Sequence, residues 1–238
     1  MTLVALGSVK GAPGVSTLAL ALASVWPADR CVTLVEADPD GGVLAARRGL
    51  RVEPGLVTLA AAVRRGADGF GGHAQELGAG VRAVVAPPAA EQVRAALSVA
   101  GDLLPTALAA DDEDVLIDCG RLHVASPAMP LCRHADATLL ALRPRLDDVM
   151  VVRTRVVGLR QIGVDPALLL LRDGPYPADE VAAAVDATVA AEIPADHRAA
   201  AALDDPAGGA VPSRSPLLRS ARRLAHHLAM HTVADVHR

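Results

Sequence analysis

Short apolar runs separated by polar loops recur along the whole chain, and they predict the strands of a sheet. Each run holds three to six residues, mostly Val, Leu, Ala and Ile, without the alternation of a half-exposed strand. Runs of this length and content are typical of strands that are buried on both faces. The predicted strands are 2–6, 31–35, 81–86, 115–117, 137–142, 167–171 and 189–193.

Longer stretches with helical periodicity lie between most of these runs. Strands that alternate with helices favour a mostly parallel sheet with helices on both faces. We find no linker and no internal repeat, so residues 1–238 are expected to form one α/β domain. A glycine-rich loop is predicted over 66–80, and a solvated charged turn over 111–114. The predicted helices are 18–25, 56–65, 90–110 with a kink or break at Pro105, 146–160, 180–185, and 215–230 with Ser215 as its cap.

The segment 8–17 joins the first predicted strand to the first predicted helix and reads Ser-Val-Lys-Gly-Ala-Pro-Gly-Val-Ser-Thr. Glycine-rich turns in this setting bind phosphate, because loop amides point inward and the helix N-terminus carries partial positive charge. Ser16 and Thr17 are placed where a hydroxyl can ligate Mg²⁺. The common phosphate-loop pattern is broken, since Val9 and Val15 stand where it requires Gly and Lys.

Lys10 is the only lysine among the 23 Lys and Arg residues of the chain. An ammonium group on a flexible stem enters a tight phosphate cage as a point charge, unlike a planar guanidinium. The position of this lysine inside a glycine-rich turn favours a role in nucleotide binding over an ordinary surface role.

Two carboxylates follow predicted strands in the order that a nucleotide site requires. Asp38 comes shortly after the second strand, and Asp118 directly follows the run 115–117. Loops at the carboxyl ends of parallel strands hold the chemistry of open α/β sheets. A strand-end Asp is often only a turn residue. Two of them after a phosphate loop favour one Mg²⁺-linked group and one hydrolysis-linked group.

The segment 10–17 resembles the deviant phosphate loop of the ParA/MinD family of ATPases, Lys-Gly-Gly-x-Gly-Lys-[Ser/Thr]-[Ser/Thr]. Further resemblances follow in the family's order at 38–40, 118–120, 143–144 and 193–196, so the likeness covers about residues 1–230. The segment 118–120 matches the family's Asp-x-[Pro/Ala] at Asp118 and departs from it at Gly120. In the loop, the matching residues are Lys10, Gly11, Gly14, Ser16 and Thr17, and the departures are Ala12 and Val15.

The resemblance implies a three-layer P-loop NTPase fold and a homodimer that binds ATP or ADP with Mg²⁺. It implies that Lys10 reaches the nucleotide of the partner subunit and that Asp38 is linked to hydrolysis. Ser16 and Asp118 would hold the metal. The residues that the resemblance assigns to the nucleotide are Lys10, Gly11, Ala12, Gly14, Val15, Ser16, Thr17, Arg143, Pro144 and Pro194.

Two departures change what the resemblance implies. Valine at position 15 supplies no charge to a transferring phosphoryl group, so hydrolysis is expected to be weak or absent while nucleotide binding persists. The family often places an Asn after the strand that ends here at Leu171, where it reads adenine. This chain contains no Asn, and Arg172 and Asp173 stand there.

The amino-acid composition limits which macromolecules this chain is expected to bind. With 1% aromatic residues, stacking platforms for single-stranded nucleic acid are nearly excluded. A net charge of −4 argues against a protein that coats DNA globally. Cys31, Cys119 and Cys132 are widely spaced, which fits a reducing cytoplasm. Arginines around the helix 146–160 leave local DNA contact open, and the leucines of 215–230 leave membrane-surface contact open, although packing on the sheet is favoured.

Two functions remain open on the sequence. The first is a nucleotide-dependent dimeric switch that, by resemblance, partitions chromosomes or plasmids or positions a cellular machine with a protein partner. The second is a nucleotide-independent scaffold that keeps the fold of an ATPase and localises or assembles a protein complex, as in degenerate relatives that localise pilus-assembly machinery. Val9, Val15 and the missing Asn favour the second.

Overall fold

The computed structural model describes residues 1–10, 14–78, 80–205 and 214–230, which form an eight-stranded sheet between two layers of helices. The predicted fold class is confirmed. The strands are β1 (Leu3–Ser8), β2 (Val32–Glu36), β3 (Gln75–Gly78), β4 (Val81–Val84), β5 (Asp114–Arg121), β6 (Ala137–Leu142), β7 (Ala167–Arg172) and β8 (Val189–Pro194).

The strand order places the glycine-rich segment at the centre of the sheet. The order is β3-β4-β2-β5-β1-β6-β7-β8, and every neighbouring pair is parallel except β3 with β4. Because β1 lies between β5 and β6, the segment that follows it emerges beside the carboxyl ends of both. The Ala37 amide donates to the Asp118 carbonyl over 2.8 Å, which brings the end of β2 to the same place.

Alternate residues of the strands build two separate apolar cores. In β1, Leu3 and Ala5 point into one core, and Val4 and Leu6 point into the other. Helices α3 to α8 cover the first core, and α1, α2, α9 and α10 cover the second. The helices are α1 (Val15–Ser24), α2 (Leu44–Arg48), α3 (Leu56–Arg64), α4 (Ala90–Ala100), α5 (Leu103–Leu108), α6 (Met129–His134), α7 (Leu146–Gln161), α8 (Ala178–Val185), α9 (His197–Asp204) and α10 (Pro216–Met230).

The glycine-rich stretch 66–80 contains regular structure, so the prediction of a plain loop is wrong. It holds a 3-10 turn over Gly71–His73 and the strand β3. Phe70 is fully buried and anchors the stretch to the core. The Asp111 carboxylate accepts hydrogen bonds from the amides of Phe70 (2.8 Å) and Gly71 (3.1 Å). These are long-range contacts, which local glycine content does not reveal.

The predicted helix 90–110 is broken at Gly101 rather than at Pro105. Gly101 follows α4 with φ +49, a conformation that glycine adopts readily. Pro105 is the third residue of α5. Its missing amide costs nothing there, because the first turn of a helix has no intrahelical acceptors for its amides.

The last helix follows the prediction closely. The Ser215 hydroxyl accepts a hydrogen bond from the Leu218 amide (3.2 Å) and thereby caps α10. Its leucines are buried against α1 and β8, so packing on the sheet is confirmed for this stripe. No helix in the described ranges is long and apolar enough to cross a membrane. Three short helices, α2, α6 and α9, were not predicted.

The prediction of a solvated turn over 111–114 is wrong for Asp114, because the Asp114 side chain is buried. Its carboxylate accepts hydrogen bonds from Trp26 Nε1 (2.8 Å) and the Thr2 amide (2.7 Å) and pairs with Arg30. Burial opposes ionisation, but the bonds from Arg30 and Trp26 outweigh it and hold the pKa of Asp114 below its usual value. This cluster lies at the amino-terminal end of β5, away from the predicted site.

Replacing Asp114 with Ala should lower the free energy of unfolding by about 2–4 kcal/mol. The substitution leaves the buried indole N–H and the Thr2 amide without their acceptor, and Arg30 without its partner. Urea unfolding followed by circular dichroism measures the loss. The exposed neighbour Asp112 provides the matched control, and Asp112→Ala should change the midpoint little. Equal effects of the two substitutions would contradict the role given to this cluster.

Candidate functional site

The start of α1 presents uncapped backbone amides toward the site. Gly14 precedes the helix with φ +109, and it has no side chain to cap the first turn. Amides at such a helix start have no intrahelical acceptors and attract anions. Two of the predicted phosphate-binding positions, Gly11 and Ala12, lie outside the described residues.

A cavity of about 270 Å³ lies beside this helix start, between the ends of β1, β2 and β5. We call it the acidic cavity, because three Asp side chains line it. The structure therefore brings together five of the predicted residues, which are Gly14, Val15, Ser16, Asp38 and Asp118. The full lining is Ser8, Gly14, Val15, Ser16, Asp38, Asp40, Asp118, Gly120 and Arg121.

Asp118 is the most unusual side chain of the acidic cavity. It is fully buried; Oδ1 accepts a hydrogen bond from the Gly120 amide (3.0 Å), whereas Oδ2 has no hydrogen-bond partner among the described residues. Burial raises its pKa to about 6, and the charges of Asp38 and Glu36 add to the rise, while Ser16 and the Gly120 amide oppose it. A buried carboxylate oxygen without a donor is suited to hold a cation or a metal-bound water.

Asp38 enters the acidic cavity only because residue 120 is a glycine. Gly120 has φ +58, and a Cβ built there would lie 2.0 Å from Asp38 Cγ. Gly120 therefore leaves the space that Asp38 occupies, at the position where 118–120 departs from the family motif. Asp38 Oδ1 accepts a bond from the Asp40 amide (2.9 Å). Burial and the charge of Asp40 raise the pKa of Asp38.

Gly120→Ala should destabilise the protein by about 2 kcal/mol or more and displace Asp38. The new methyl group meets a half-buried carboxylate, and the backbone conformation already disfavours any L side chain. Gly49→Ala is the matched control, since Gly49 has φ +61 but no atom within 4 Å of the place that a Cβ would take. Urea denaturation of both variants separates the clash from the backbone strain. A Gly120→Ala loss no larger than that of Gly49→Ala would show that the approach of Asp38 does not matter.

Glu36 is a part of the site that the sequence did not single out. It is buried at the end of β2, where its carboxylate accepts hydrogen bonds from the amides of Val43, Leu44 and Ala86. Burial raises its pKa in spite of these donors. Glu36 thus fixes the loop that carries Asp38 to the start of α2 and the end of β4. The sequence did contain a signal for this role, because Glu36 is a charged residue directly after an apolar, β-branched run.

A larger cavity of about 540 Å³ also lies beside the start of α1. Four residues that the resemblance assigns to the nucleotide line this large cavity: Gly14, Thr17, Arg143 and Pro194. Pro144 does not line it; its carbonyl accepts a bond from the Tyr176 amide (3.3 Å). The lining is Gly14, Thr17, Leu18, Arg47, Arg143, Leu171, Arg172, Asp173, Ile193, Pro194, Ala195, Asp196, His197, Ala200, Asp204 and Leu217.

Two lining residues of the large cavity, Arg47 and Asp204, were not foreseen. Arg47 of α2 donates to the Asp204 carboxylate of α9 over 2.7 Å, and the Thr17 hydroxyl lies 3.4 Å from the same oxygen. The contact spans 157 residues of sequence for Arg47. It ties the first turn of α1 to α2 and α9 on one wall of the cavity.

Lys10 does not enter either of these two cavities. Its ammonium group forms an ion pair with Asp147 (2.8 Å) and lies 3.9 Å from Asp148, at the start of α7 of its own chain. The Asp147 hydrogen bond raises the pKa of Lys10. The lysine side chain is 52% exposed, so the pair is solvated and easily exchanged for another anion.

No group of three or more His, Cys, Asp and Glu side chains is arranged to hold a metal within the described part of the chain. Mg²⁺ does not need such a group, because it keeps several waters and takes one or two protein ligands together with substrate phosphates. Ser16 and Asp118 suit that role. The three thiols are free, and those of Cys119 and Cys132 are buried.

The arginines around α7 are mostly engaged within the chain. Arg143 and Arg145 form ion pairs with Asp173. Arg160 pairs with Asp165, and Arg155 donates to the Leu122 carbonyl (2.8 Å). These contacts reduce the cationic charge available to a phosphate backbone. DNA binding by this face stays a prediction.

No family model matches the sequence, and no curated protein matches it. Solved structures do match the fold. A ParA family ATPase from Chlorobium tepidum TLS superposes with a TM-score of 0.77 at 19% identity, covering 94% of this chain and 98% of that one. The septum site-determining protein MinD from Pyrococcus horikoshii OT3, complexed with Mg-ADP, gives 0.73 at 20% identity, covering 99% and 98%.

A third solved structure, an ATP complex of a variant McdA from Cyanothece, gives a TM-score of 0.72 at 17% identity, covering 96% of each chain. The chain therefore has the fold of the ParA, MinD and McdA proteins over nearly its whole length. At these identities the likeness establishes the fold, and the residues of the site have to support any function.

Proposed function

We propose that this chain belongs to the ParA/MinD family and acts as a nucleotide-dependent dimeric switch with weak or absent hydrolysis. The observation that carries the proposal is the buried Asp118 carboxylate, whose Oδ2 has no donor among the described residues and which shares the acidic cavity with Ser16 and Asp38. Leaving a buried carboxylate oxygen without a donor is costly. A bound cation would offset that cost.

The residues of the acidic cavity suit a magnesium nucleotide. The amides of Gly14, Val15 and Ser16 at the start of α1 would bind phosphate oxygens. The Ser16 hydroxyl and Asp118 would hold Mg²⁺, which neutralises phosphate charge when it is bound. The Asp38 carboxylate lies next to Gly120, where it would orient a water molecule or accept its proton. ATP or ADP is what the family resemblance implies for the nucleotide.

Weak turnover follows from the side chain of Val15. It is buried and lines the acidic cavity, so an apolar wall stands where a phosphate loop normally carries a cation. Lys10, the remaining lysine, is held by Asp147 of its own chain. We propose that Lys10 leaves this solvated pair to reach the nucleotide of a second copy.

The process we propose is the positioning of a cellular cargo in the cytoplasm, through a protein partner. Support comes from the fold, which is shared with ParA, with the septum site-determining protein MinD and with McdA. Partitioning of a chromosome or plasmid is one form of this process. A scaffold that works without nucleotide is the second candidate, and the apolar wall formed by Val15 is the observation that favours it.

Mg²⁺ with nucleotide should convert the chain from monomer to dimer if the switch is real. Sedimentation velocity with and without millimolar Mg-ATP or Mg-GTP measures the conversion, and Lys10→Ala should weaken it at least tenfold. Arg160→Ala is the control, because Arg160 forms a similar solvated ion pair, with Asp165 at the other end of α7. If the mass of the wild type changed with neither Mg-ATP nor Mg-GTP, the switch would be refuted and the nucleotide-independent scaffold would remain.

A further inference from the structure

The large cavity combines apolar walls with a few polar groups, as small-molecule sites do. Leu18, Leu171, Ile193, Pro194 and Leu217 give it apolar walls. Its volume of about 540 Å³ falls in the range of small-molecule sites. Gly14 and Thr17 line its inner end, so a nucleotide with its phosphates at the start of α1 would place its base in this cavity.

Two of the three Asp side chains in the large cavity already hold the structure together. Asp196 accepts from the Ala199 amide (3.0 Å) and from the Ser215 hydroxyl (2.7 Å), and it thereby joins α9 to α10. Asp204 accepts from Arg47 and Thr17, as described above. Neither carboxylate can turn to a ligand without releasing a helix.

Asp173 is different, because its side chain is 52% exposed and its ion pairs with the described residues are with arginines. Arg145 donates to its carbonyl (2.8 Å) and to Oδ1 (2.9 Å), and Arg143 Nε lies 3.5 Å from Oδ2. A carboxylate has about four acceptor positions, so these contacts leave it able to accept further bonds. The arginines fix its position at the cavity rim.

The backbone around Asp173 is also fixed. A Cβ on Gly174 would lie 2.3 Å from the carbonyl oxygen of Pro144, so the loop after β7 packs directly on the loop after β6. The rim therefore presents an acceptor, Asp173, beside a donor, Arg143, in a defined arrangement. No Asn or Gln side chain lines this cavity among the described residues.

This arrangement matches one purine better than the other. Guanine presents two adjacent N–H donors, at N1 and N2, and an acceptor at O6. A carboxylate accepts both donors, and a neighbouring guanidinium donates to the acceptor. Adenine presents one amino donor beside the N1 lone pair, which a carboxylate repels. An unpaired polar group in such a site costs affinity.

We infer that the large cavity takes the base of a guanine nucleotide and that Asp173 is the specificity-determining residue. The inference rests on the proposed function, since it requires nucleotide binding at this loop. The family resemblance implies adenine, whereas Asp173 and Arg143 at the rim can form hydrogen bonds with guanine.

Isothermal titration calorimetry with Mg-GDP, Mg-ADP and Mg-XDP tests the inference on the full chain. The wild type should bind Mg-GDP at least about tenfold more tightly than Mg-ADP. Asp173→Asn offers one acceptor and one donor, which match N1–H and O2 of xanthine. It should lose at least about tenfold in affinity for Mg-GDP and gain as much for Mg-XDP. The control is Asp165→Asn, because Asp165 has similar exposure, 53%, and a similar ion pair, with Arg160.

The outcomes separate the two proposals. Mg-GDP preference that Asp173→Asn turns to Mg-XDP, with Asp165→Asn unchanged, supports guanine recognition by Asp173. Equal binding of Mg-GDP and Mg-ADP, or a preference for Mg-ADP, overturns the inference but leaves the nucleotide switch in place. A guanine preference that survives Asp173→Asn overturns the role of this residue. No binding of any nucleotide by the folded wild type overturns both proposals.

Discussion

Val15→Lys should raise nucleoside triphosphate hydrolysis by about 100-fold over the wild type. Val15 is the first residue of α1, it is 6% exposed, and it lines the acidic cavity with Ser16 and Asp118. A lysine there places an ammonium group beside the phosphates and the carboxylates of Asp38 and Asp118. One well-placed cation contributes about 3 kcal/mol to a phosphoryl transition state, which corresponds to a rate factor of about 100.

Phosphate release by the purified protein with Mg-ATP and with Mg-GTP measures this gain. Val15→Met is the matched control, because its side chain is unbranched and uncharged and adds length without charge. The lysine variant should exceed both the methionine variant and the wild type. Equal rates for lysine and methionine would show that the missing cation is not what limits turnover, and the assignment of Val15 would be withdrawn.

Asp118→Asn should stabilise the nucleotide-free protein at pH 8 by about 2 kcal/mol relative to its effect at pH 4.5. The pKa of Asp118 is raised from 3.8 to about 6 in the folded state, chiefly by burial. A raised pKa means that the folded protein holds this proton more tightly than the unfolded chain. The stabilisation is complete below pH 4 and is lost as the pH rises through 6. Asparagine cannot ionise, so the variant avoids that loss.

Urea unfolding of the wild type and of Asp118→Asn at pH 4.5 and pH 8, in EDTA, gives the difference. The gap between the two proteins should widen with pH, and Mg²⁺ with nucleotide should narrow it at pH 8 by stabilising only the wild type. A gap that stays constant between the two pH values would contradict the burial of an Asp118 carboxylate whose Oδ2 has no donor among the described residues.

The central elements of the site could be predicted because they depend on local pattern. The β1–loop–α1 unit and the Asp residues after β2 and β5 each stand beside a recognisable strand or helix start. Parallel strands then bring their carboxyl ends to one edge, so Asp38 and Asp118 meet in the acidic cavity without further information. Thr17, Arg143 and Pro194, which line the large cavity, were assigned to the nucleotide by the family resemblance.

Contacts between distant segments could not be predicted in the same way. Lys10 pairs with Asp147 across 137 residues, and Arg47 meets Asp204 across 157. Hydrophobic periodicity says nothing about which exposed charges become neighbours. The prediction for 66–80 was wrong for a related reason. Phe70 of this stretch is buried in the core, and Asp111, from outside the stretch, accepts hydrogen bonds from the Phe70 and Gly71 amides.

Gly120 shows what the structure adds to a motif. In the sequence it is a departure from the family pattern after Asp118. In the structure it is the position that admits Asp38, because a Cβ there would lie 2.0 Å from the Asp38 carboxyl carbon. Gly120 therefore preserves the position of Asp38 in the acidic cavity, whereas Val15 removes the cation that a phosphate loop normally carries.

Equilibrium dialysis of the wild type against radiolabelled nucleotide tests the central claim most directly. With 5 mM Mg²⁺ in the buffer, about one Mg-GTP or Mg-ATP should be retained per chain at saturation, and replacing Mg²⁺ with EDTA should reduce retention at least tenfold. Folded protein that retains neither nucleotide at millimolar concentration would contradict the account. The chain would then have the fold of a nucleotide switch without its chemistry.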